Sequence, residues 1–417
     1  MKDNFSSKKN ESCRICGNKE LKTYLDLKDQ PPSNSFIEKN QINNEEFFPL
    51  KVQLCENCGL SQLDTIVSPK DVFNDYMYLS STSRALVNHY QGMTEKIVLN
   101  FKPKDNSLIV DIGSNDGITL KTYEKNKFNL LGIEPSSAAQ YALDQGINTE
   151  REFFNYKFSD NLVKKYGRAK IITTTNVFAH VEDIKNFTMG IKNFLDKDGV
   201  FIVEFPYLQN MIEEKLFDVI YHEHLSYLSI IPLLKLFSDH QLKIFDIERI
   251  NIGASGPALR IYVSHYESKY EINNIVKDFE NLEIKNNYKR IETYNNFANE
   301  VINLRNEIDD IIIKLASNSK KIGAFGAPAK GNTMLNFLGK SKSHIKAVAD
   351  NTPIKIGKLT PGSHIPIVSD DEFNNMRFDY ALLLSWNYAD FFLKNSQFIK
   401  NNGKFIIPFP KPKIIPE

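Results

Sequence analysis

The run Tyr221-His222-Glu223-His224-Leu225-Ser226-Tyr227 places imidazole, carboxyl and phenol groups side by side. Imidazole titrates near neutral pH, so His224 or His222 could remove a proton from a carbon next to a ketone. Glu223 could orient and polarise one ring, and a tyrosine hydroxyl could hydrogen-bond the developing enolate. The spacing is not that of a zincin, because H-E-x-x-H needs two residues between the glutamate and the second histidine. The bland alternative is a polar turn whose histidines are surface or satisfied core residues.

All four cysteines fall into two C-x-x-C pairs, Cys13/Cys16 and Cys55/Cys58, each followed directly by a glycine. Each pair sets two thiolates on one tight turn, and two such turns supply the tetrahedral ligand set of a structural Zn²⁺ with no position left open for catalysis. Redox dithiols or inert buried thiols are the competing readings.

Asp111-Ile112-Gly113-Ser114-Asn115-Asp116-Gly117 follows an apolar strand and reads D-x-G-x-x-x-G. Its glycines let the backbone curl round a ligand at the carboxyl end of the strand. Glu134 ends the next strand, where a carboxylate can accept both ribose hydroxyls. A dinucleotide site would prefer G-x-G-x-x-G, and the polar, acidic lining suits a cationic sulfonium nucleoside, S-adenosylmethionine. Downstream, Thr174 to His180 would line the methionine and methyl end, and Phe153 and Phe154 could sandwich the adenine.

These groups need a scaffold, and apolar runs alternate with amphipathic stretches from Ser107 to His265 in the manner of an α/β doubly wound sheet. Residues 267–318 are charged, free of Gly and Pro, and helical in period, which predicts a helix pair. A second, smaller α/β pattern starts at Lys321. There Gly323-Ala324-Phe325-Gly326-Ala327-Pro328-Ala329-Lys330-Gly331 follows a strand, so its glycines and Lys330 could approach a diphosphate. It fails the P-loop test, and packing between domains is the alternative use of the turn. His364 and Trp386 to Tyr388 could reach the same crevice. The expected domains are 1–69 (zinc), 70–265 (Rossmann-like methyltransferase) and 266–417 (smaller doubly wound α/β).

The chain has 417 residues, with 52 Lys and Arg against 51 Asp and Glu, so no single-sign field is available to hold nucleic acid or an anionic membrane. The polar N-terminal stretch lacks the apolar core of a signal peptide, and the apolar runs are strand-length, which predicts a cytoplasmic protein.

With these motifs in order (the paired C-x-x-C, Asp111 to Gly117, Gly132 to Ser136, Tyr221 to Tyr227, Gly326 to Thr333), the chain resembles the nucleotide-sugar C-methyltransferases, in particular the sugar 3-C-methyltransferases. The resemblance implies a zinc domain, a central methyltransferase domain, and a C-terminal domain that helps enclose a nucleotide-linked keto sugar. It implies His224 as general base, with Tyr221, Glu223 and Tyr76 near the sugar. His180 is expected beside them, and His222, Lys330 and Asn332 on the substrate, in a monomer or small homo-oligomer. The implied reaction is methylation at C3 of a 4-keto deoxysugar through an enolate. A sugar O-methyltransferase and a non-catalytic zinc-ribbon protein with a vestigial methyltransferase fold are the alternatives.

Overall fold

A computed structural model describes residues 5–73, 79–253 and 256–416. Tyr76 lies outside the described residues.

The centre is a seven-stranded sheet. Its first strand in sequence, Leu108–Ile112, is buried at every position, as an apolar run interrupted only by Asp111 requires of a parallel strand covered on both faces. Asn129–Ile133 pairs parallel on one side of it and Ala169–Thr175 parallel on the other. Thr149–Glu150 extends the sheet beyond Asn129–Ile133. On the other side follow Leu195–Pro206 (parallel) and an antiparallel hairpin, Gly256–His265 and Leu242–Gly253. The chain therefore winds away in both directions from Leu108–Ile112, which opens a crevice at the carboxyl ends of this strand and Ala169–Thr175.

The N-terminal region forms a four-stranded antiparallel sheet in the order Ser226–Tyr227, Ser61–Leu63, Phe48–Leu54, Lys22–Gln30. Its edge strand is thus the end of the histidine-rich run, paired as Ser226 with Gln62 and Tyr227 with Ser61.

The expected helix pair is present as Asn274–Lys285 and Ile291–Ser317. The longer helix buries Tyr294, Phe297, Val301, Leu304, Ile308 and Ile312, a stripe at three- and four-residue spacing. It packs on the N-terminal sheet, with the Tyr24 and Tyr294 rings 4.8 Å apart. One continuous apolar core joins this helix, the N-terminal sheet and a six-stranded C-terminal sheet. The latter runs Ile367–Val368, Ile345–Ala349, Ile322–Phe325, Tyr380–Leu383, Lys404–Ile407, Lys413–Ile415, parallel except for its last strand. It has its own reversal of winding, between Ile322–Phe325 and Tyr380–Leu383. Among the described residues no helix is long and apolar enough to cross a membrane.

Candidate active site and metal centre

A cavity of about 370 Å³ opens at the crevice of the central sheet, bordered by Asp111, Gly113, Asn115, Glu134, Phe153, Asn176 and His180 among others. Gly113 turns the chain at φ +73°, and a Cβ there would stand 2.2 Å from the Val177 side chain. Only glycine satisfies both conditions.

The buried Glu134 carboxylate accepts one backbone N–H on each oxygen, from Asn115 at 2.9 Å and from Ser136 at 2.9 Å. Each oxygen keeps acceptor capacity for a diol. Burial pushes the Asp111 carboxyl up to about 7, against the hydrogen bond it accepts from Thr173 Oγ1 at 2.6 Å. Asn176, at φ +57°, borders the cavity with both side-chain amide atoms buried and without a hydrogen-bond partner. That orphaned amide suits the amino-acid end of a nucleoside ligand.

Two of the loop residues predicted to bind cofactor have other work. Asn115 Oδ1 accepts from the Ser80 N–H at 2.9 Å, and Asp116 Oδ2 accepts from the Ser81 N–H at 3.2 Å and from its hydroxyl. Asp116 and Gly117 do not border the cavity, whereas Asn115 does. Phe153 and Phe154 both border it, with the Phe154 ring edge-on to Phe187 at 5.1 Å.

The histidine run lies next to this cavity, because Leu225 N–H donates to the Ala179 carbonyl at 2.9 Å. His180 and His224 meet edge to face, ring centroids 4.8 Å apart. His224 Nδ1 lies 2.7 Å from the Val219 carbonyl, which can only accept, so Nδ1 carries the hydrogen. Nε2 is left as the lone-pair nitrogen, 2.8 Å from the Tyr221 hydroxyl. Burial pulls His224 down to about 4 and His180 well below its usual value, the latter helped by His224 itself. Both rings are neutral at pH 7. Glu223 accepts from Asn34 Nδ2 at 2.6 Å and is pushed by burial to about 7. His222 faces the other way, edge-on to Phe48 at 6.1 Å with Nε2 3.4 Å from the Pro49 carbonyl.

The four cysteine sulfurs lie within 4.8 Å of one another, with Cys13 to Cys58 at 3.4 Å and Cys16 to Cys55 at 3.5 Å. A tetrahedron with Zn–S bonds of about 2.3 Å has S···S edges of about 3.8 Å, so the quartet fits zinc. Gly17 at φ +75° and Gly59 at φ +85° close the two knuckles, donating to the Cys13 and Cys55 carbonyls at 2.8 and 2.7 Å.

Three models of known domains match the chain in succession: "Putative zinc binding domain" over residues 13–73, "Methyltransferase domain" over 88–246, and "C-methyltransferase C-terminal domain" over 253–410. The C-methyltransferase NovU of Streptomyces niveus is 29% identical over 408 residues, which cover 97% of each chain. The chain thus carries a zinc-binding, a methyltransferase and a C-methyltransferase C-terminal domain in succession, and it is similar to a C-methyltransferase along nearly its whole length. Solved S-adenosylmethionine-dependent methyltransferases from Clostridium acetobutylicum ATCC 824 and Thermotoga maritima overlap 43% and 44% of it, and 92% of each of theirs, at 12% and 16% identity and TM-scores of 0.33 and 0.32. The methyltransferase uses S-adenosylmethionine, and its cysteine quartet is the zinc centre.

In the C-terminal domain of the methyltransferase, Lys330 and the Trp386 to Tyr388 turn do meet, in a buried cluster whose further member, Asp218, sequence reasoning missed. Lys330 Nζ lies 2.7 Å from Asn387 Oδ1 and 4.1 Å from the centre of the Trp386 ring. Burial pulls its ammonium down to about 8, against the charge of Asp218. Asp218 is fully buried and accepts from the Trp386 indole N–H at 2.7 Å. Gly326, at φ +83°, would press a Cβ to 2.2 Å from Ser385 Oγ, so the Gly326 turn and the Ser385 to Asn387 turn close on each other at the winding reversal of this sheet. Asn332 and Thr333 tie the same helix inward, Asn332 Nδ2 to the Ser33 carbonyl at 2.7 Å and Thr333 Oγ1 to the Ile220 carbonyl at 3.1 Å. Asn332 is therefore committed to the N-terminal loop that also carries Asn34. His364 lies elsewhere, 2.6 Å from Glu45 Oε2.

Proposed function

We propose that this C-methyltransferase acts at C3 of a nucleotide-linked 4-keto deoxysugar, with His224 as the general base. The observation that supports it is the orientation of the His224 ring: Nδ1–H is held by the Val219 carbonyl, Nε2 is the lone-pair nitrogen and meets the Tyr221 hydroxyl, and the ring as a whole meets the cavity-lining His180 edge to face. A ketone at C4 acidifies the C3–H bond. Nε2 takes that proton and the electron pair moves into an enolate; S-adenosylmethionine, when bound, would supply the electrophilic methyl to C3, the methyl–sulfur bond breaking with its electron pair left on a neutral thioether. Charge on the enolate oxygen favours a hydrogen bond from a neighbouring phenol, the part assigned to Tyr221, with Glu223 beside the sugar. A base pulled down to about 4 is weak in the resting protein, and the developing anion raises its proton affinity as the reaction proceeds.

The diol-accepting Glu134 and the orphaned Asn176 amide are assigned to the donor's ribose and amino-acid ends, with Asp111, Gly113, Asn115, Asp116 and Gly117 shaping the loop around it. Lys330 is assigned to the diphosphate, with His222 and Asn332 behind the acceptor. His180 as the base is the second reading, because it is the histidine that borders the donor cavity.

Incubation with methyl-labelled S-adenosylmethionine and a panel of nucleotide-linked 4-keto deoxysugars, with the label located by NMR, tests the reading. Label at C3 is expected. Label on oxygen overturns it. Exchange of the C3 hydrogen with deuterated solvent, measured in His224→Gln and His180→Gln, separates the two bases: it should vanish in the first and persist in the second.

A further inference from the structure

Arg14 sits inside the first zinc knuckle, between Cys13 and Cys16, yet its side chain reaches out of the knuckle to segments that follow His180 and His224. Its guanidinium donates through Nη2 to the carbonyls of Val181 and of Glu182, the latter at 2.7 Å, and through Nη1 to Ser226 Oγ. Its own backbone N–H is fixed by Gln62 Oε1 at 3.0 Å. Val181 and Glu182 follow His180 directly and border the donor cavity. Ser226 lies two residues after His224. One planar fork therefore grips both segments that carry the facing imidazoles, 4.8 Å apart, and roots the grip in a metal-bound turn.

We infer that Arg14 is a positioning residue for methyl transfer, through which the zinc knuckle sets the distance between the His180 wall of the donor cavity and the His224 segment. A lysine cannot replace it, because an ammonium is a point donor, whereas the guanidinium presents separate N–H groups to acceptors on two separate segments at fixed angles. The inference relies on the proposed role of this histidine pair only for the identity of the group being positioned. Misplacement of reacting groups by about 1 Å costs on the order of 10²-fold in rate without a matching loss of binding. Arg14 is expected to act on kcat.

The test uses the zinc-loaded full chain. Arg14→Lys and Arg14→Ala should retain one zinc per chain by metal analysis and bind S-adenosylmethionine within about threefold of wild type by calorimetry. Their kcat should fall on the order of 10²-fold with KM little changed. Millimolar guanidinium should restore part of the Arg14→Ala rate, and ammonium should not. The imidazole ¹⁵N signals of His180 and His224 should shift in both variants while that of His89 stays in place. Should Arg14→Ala lose zinc or fail to fold, Ser226→Ala, which removes an acceptor on the far side, should still lower kcat and shift the His224 signal. Wild-type kcat in Arg14→Lys, or a rate loss with unmoved imidazole signals and no rescue by guanidinium, overturns the inference. Full activity in His224→Gln alongside a rescued defect in Arg14→Ala would instead refute the base assignment and leave Arg14 standing.

Discussion

The Tyr221 hydroxyl stands 2.8 Å from Nε2 of His224, on the edge of the ring opposite the nitrogen held by Val219. The phenol is therefore the group that meets the imidazole lone pair, and the ring cannot turn to avoid it without losing a buried hydrogen bond. Tyr221→Phe should keep the fold and lower kcat roughly 10- to 100-fold, whereas His224→Gln should lower it by about 10² to 10⁴. Labelled-methyl transfer under saturating donor measures both. An unchanged rate in Tyr221→Phe removes the phenol from the reaction.

Glu134→Gln keeps the size of the side chain but turns one of its two acceptors into a donor, which then faces a backbone N–H, from Asn115 or from Ser136. Affinity for S-adenosylmethionine should weaken about 10- to 100-fold, the effect of one or two lost hydrogen bonds to a charged acceptor. Calorimetry on the free protein reads this directly.

Removal of zinc should unfold more than the knuckles. The quartet shares an apolar core with strands of the central sheet, including Val110 and Phe205. A strong chelator, or Cys55→Ser, should lower the melting temperature and abolish S-adenosylmethionine binding together, since structural zinc contributes its binding free energy to folding. Donor binding that survives in the zinc-free protein contradicts this coupling.

His222 and His224 are each pulled by burial from 6.5 to about 4. The unfolded chain then binds more protons than the folded one between these values, so stability is full above pH 6.5 and is lost as pH falls through 6.5 toward 4. Each ring contributes on the order of 3 kcal/mol to that loss. Glu223, pushed up to about 7, acts with the opposite sign in an overlapping window, so the comparison must be made against a variant. Urea midpoints for His222→Gln should fall less steeply with acid than those of wild type. Parallel curves would show that His222 is not buried as a neutral ring.

The features legible in the sequence were those in which neighbouring positions carry the geometry. Two C-x-x-C knuckles, a glycine turn after an apolar strand, and a glutamate at the end of the next strand each state their chemistry within a few residues; the Cys quartet came together as expected, and Asp111, Gly113, Asn115 and Glu134 border one cavity while Asp116 and Gly117 do not. The alternation of strand and helix likewise reports which faces are covered. Illegible were the pairings between distant positions: Arg14 with Val181, Asn34 with Glu223, Asp218 with Trp386. Each joins side chains whose separation in sequence is large and whose residue types are ordinary. The Tyr221 to Tyr227 run was legible as a cluster of titratable groups, but not its division into an inward His224 and a His222 turned toward Phe48, because that depends on the strand it enters.

That strand has a consequence for engineering. Ser226 and Tyr227 are contiguous in the chain with the donor-binding sheet, yet they are hydrogen-bonded into the N-terminal one. A chimera that exchanges the N-terminal module alone would graft a foreign sheet edge onto the native histidine run, and one that exchanges the central module alone would do the reverse. Functional recombination between relatives should therefore require a non-contiguous cassette, in which residues 221–227 travel with the N-terminal module.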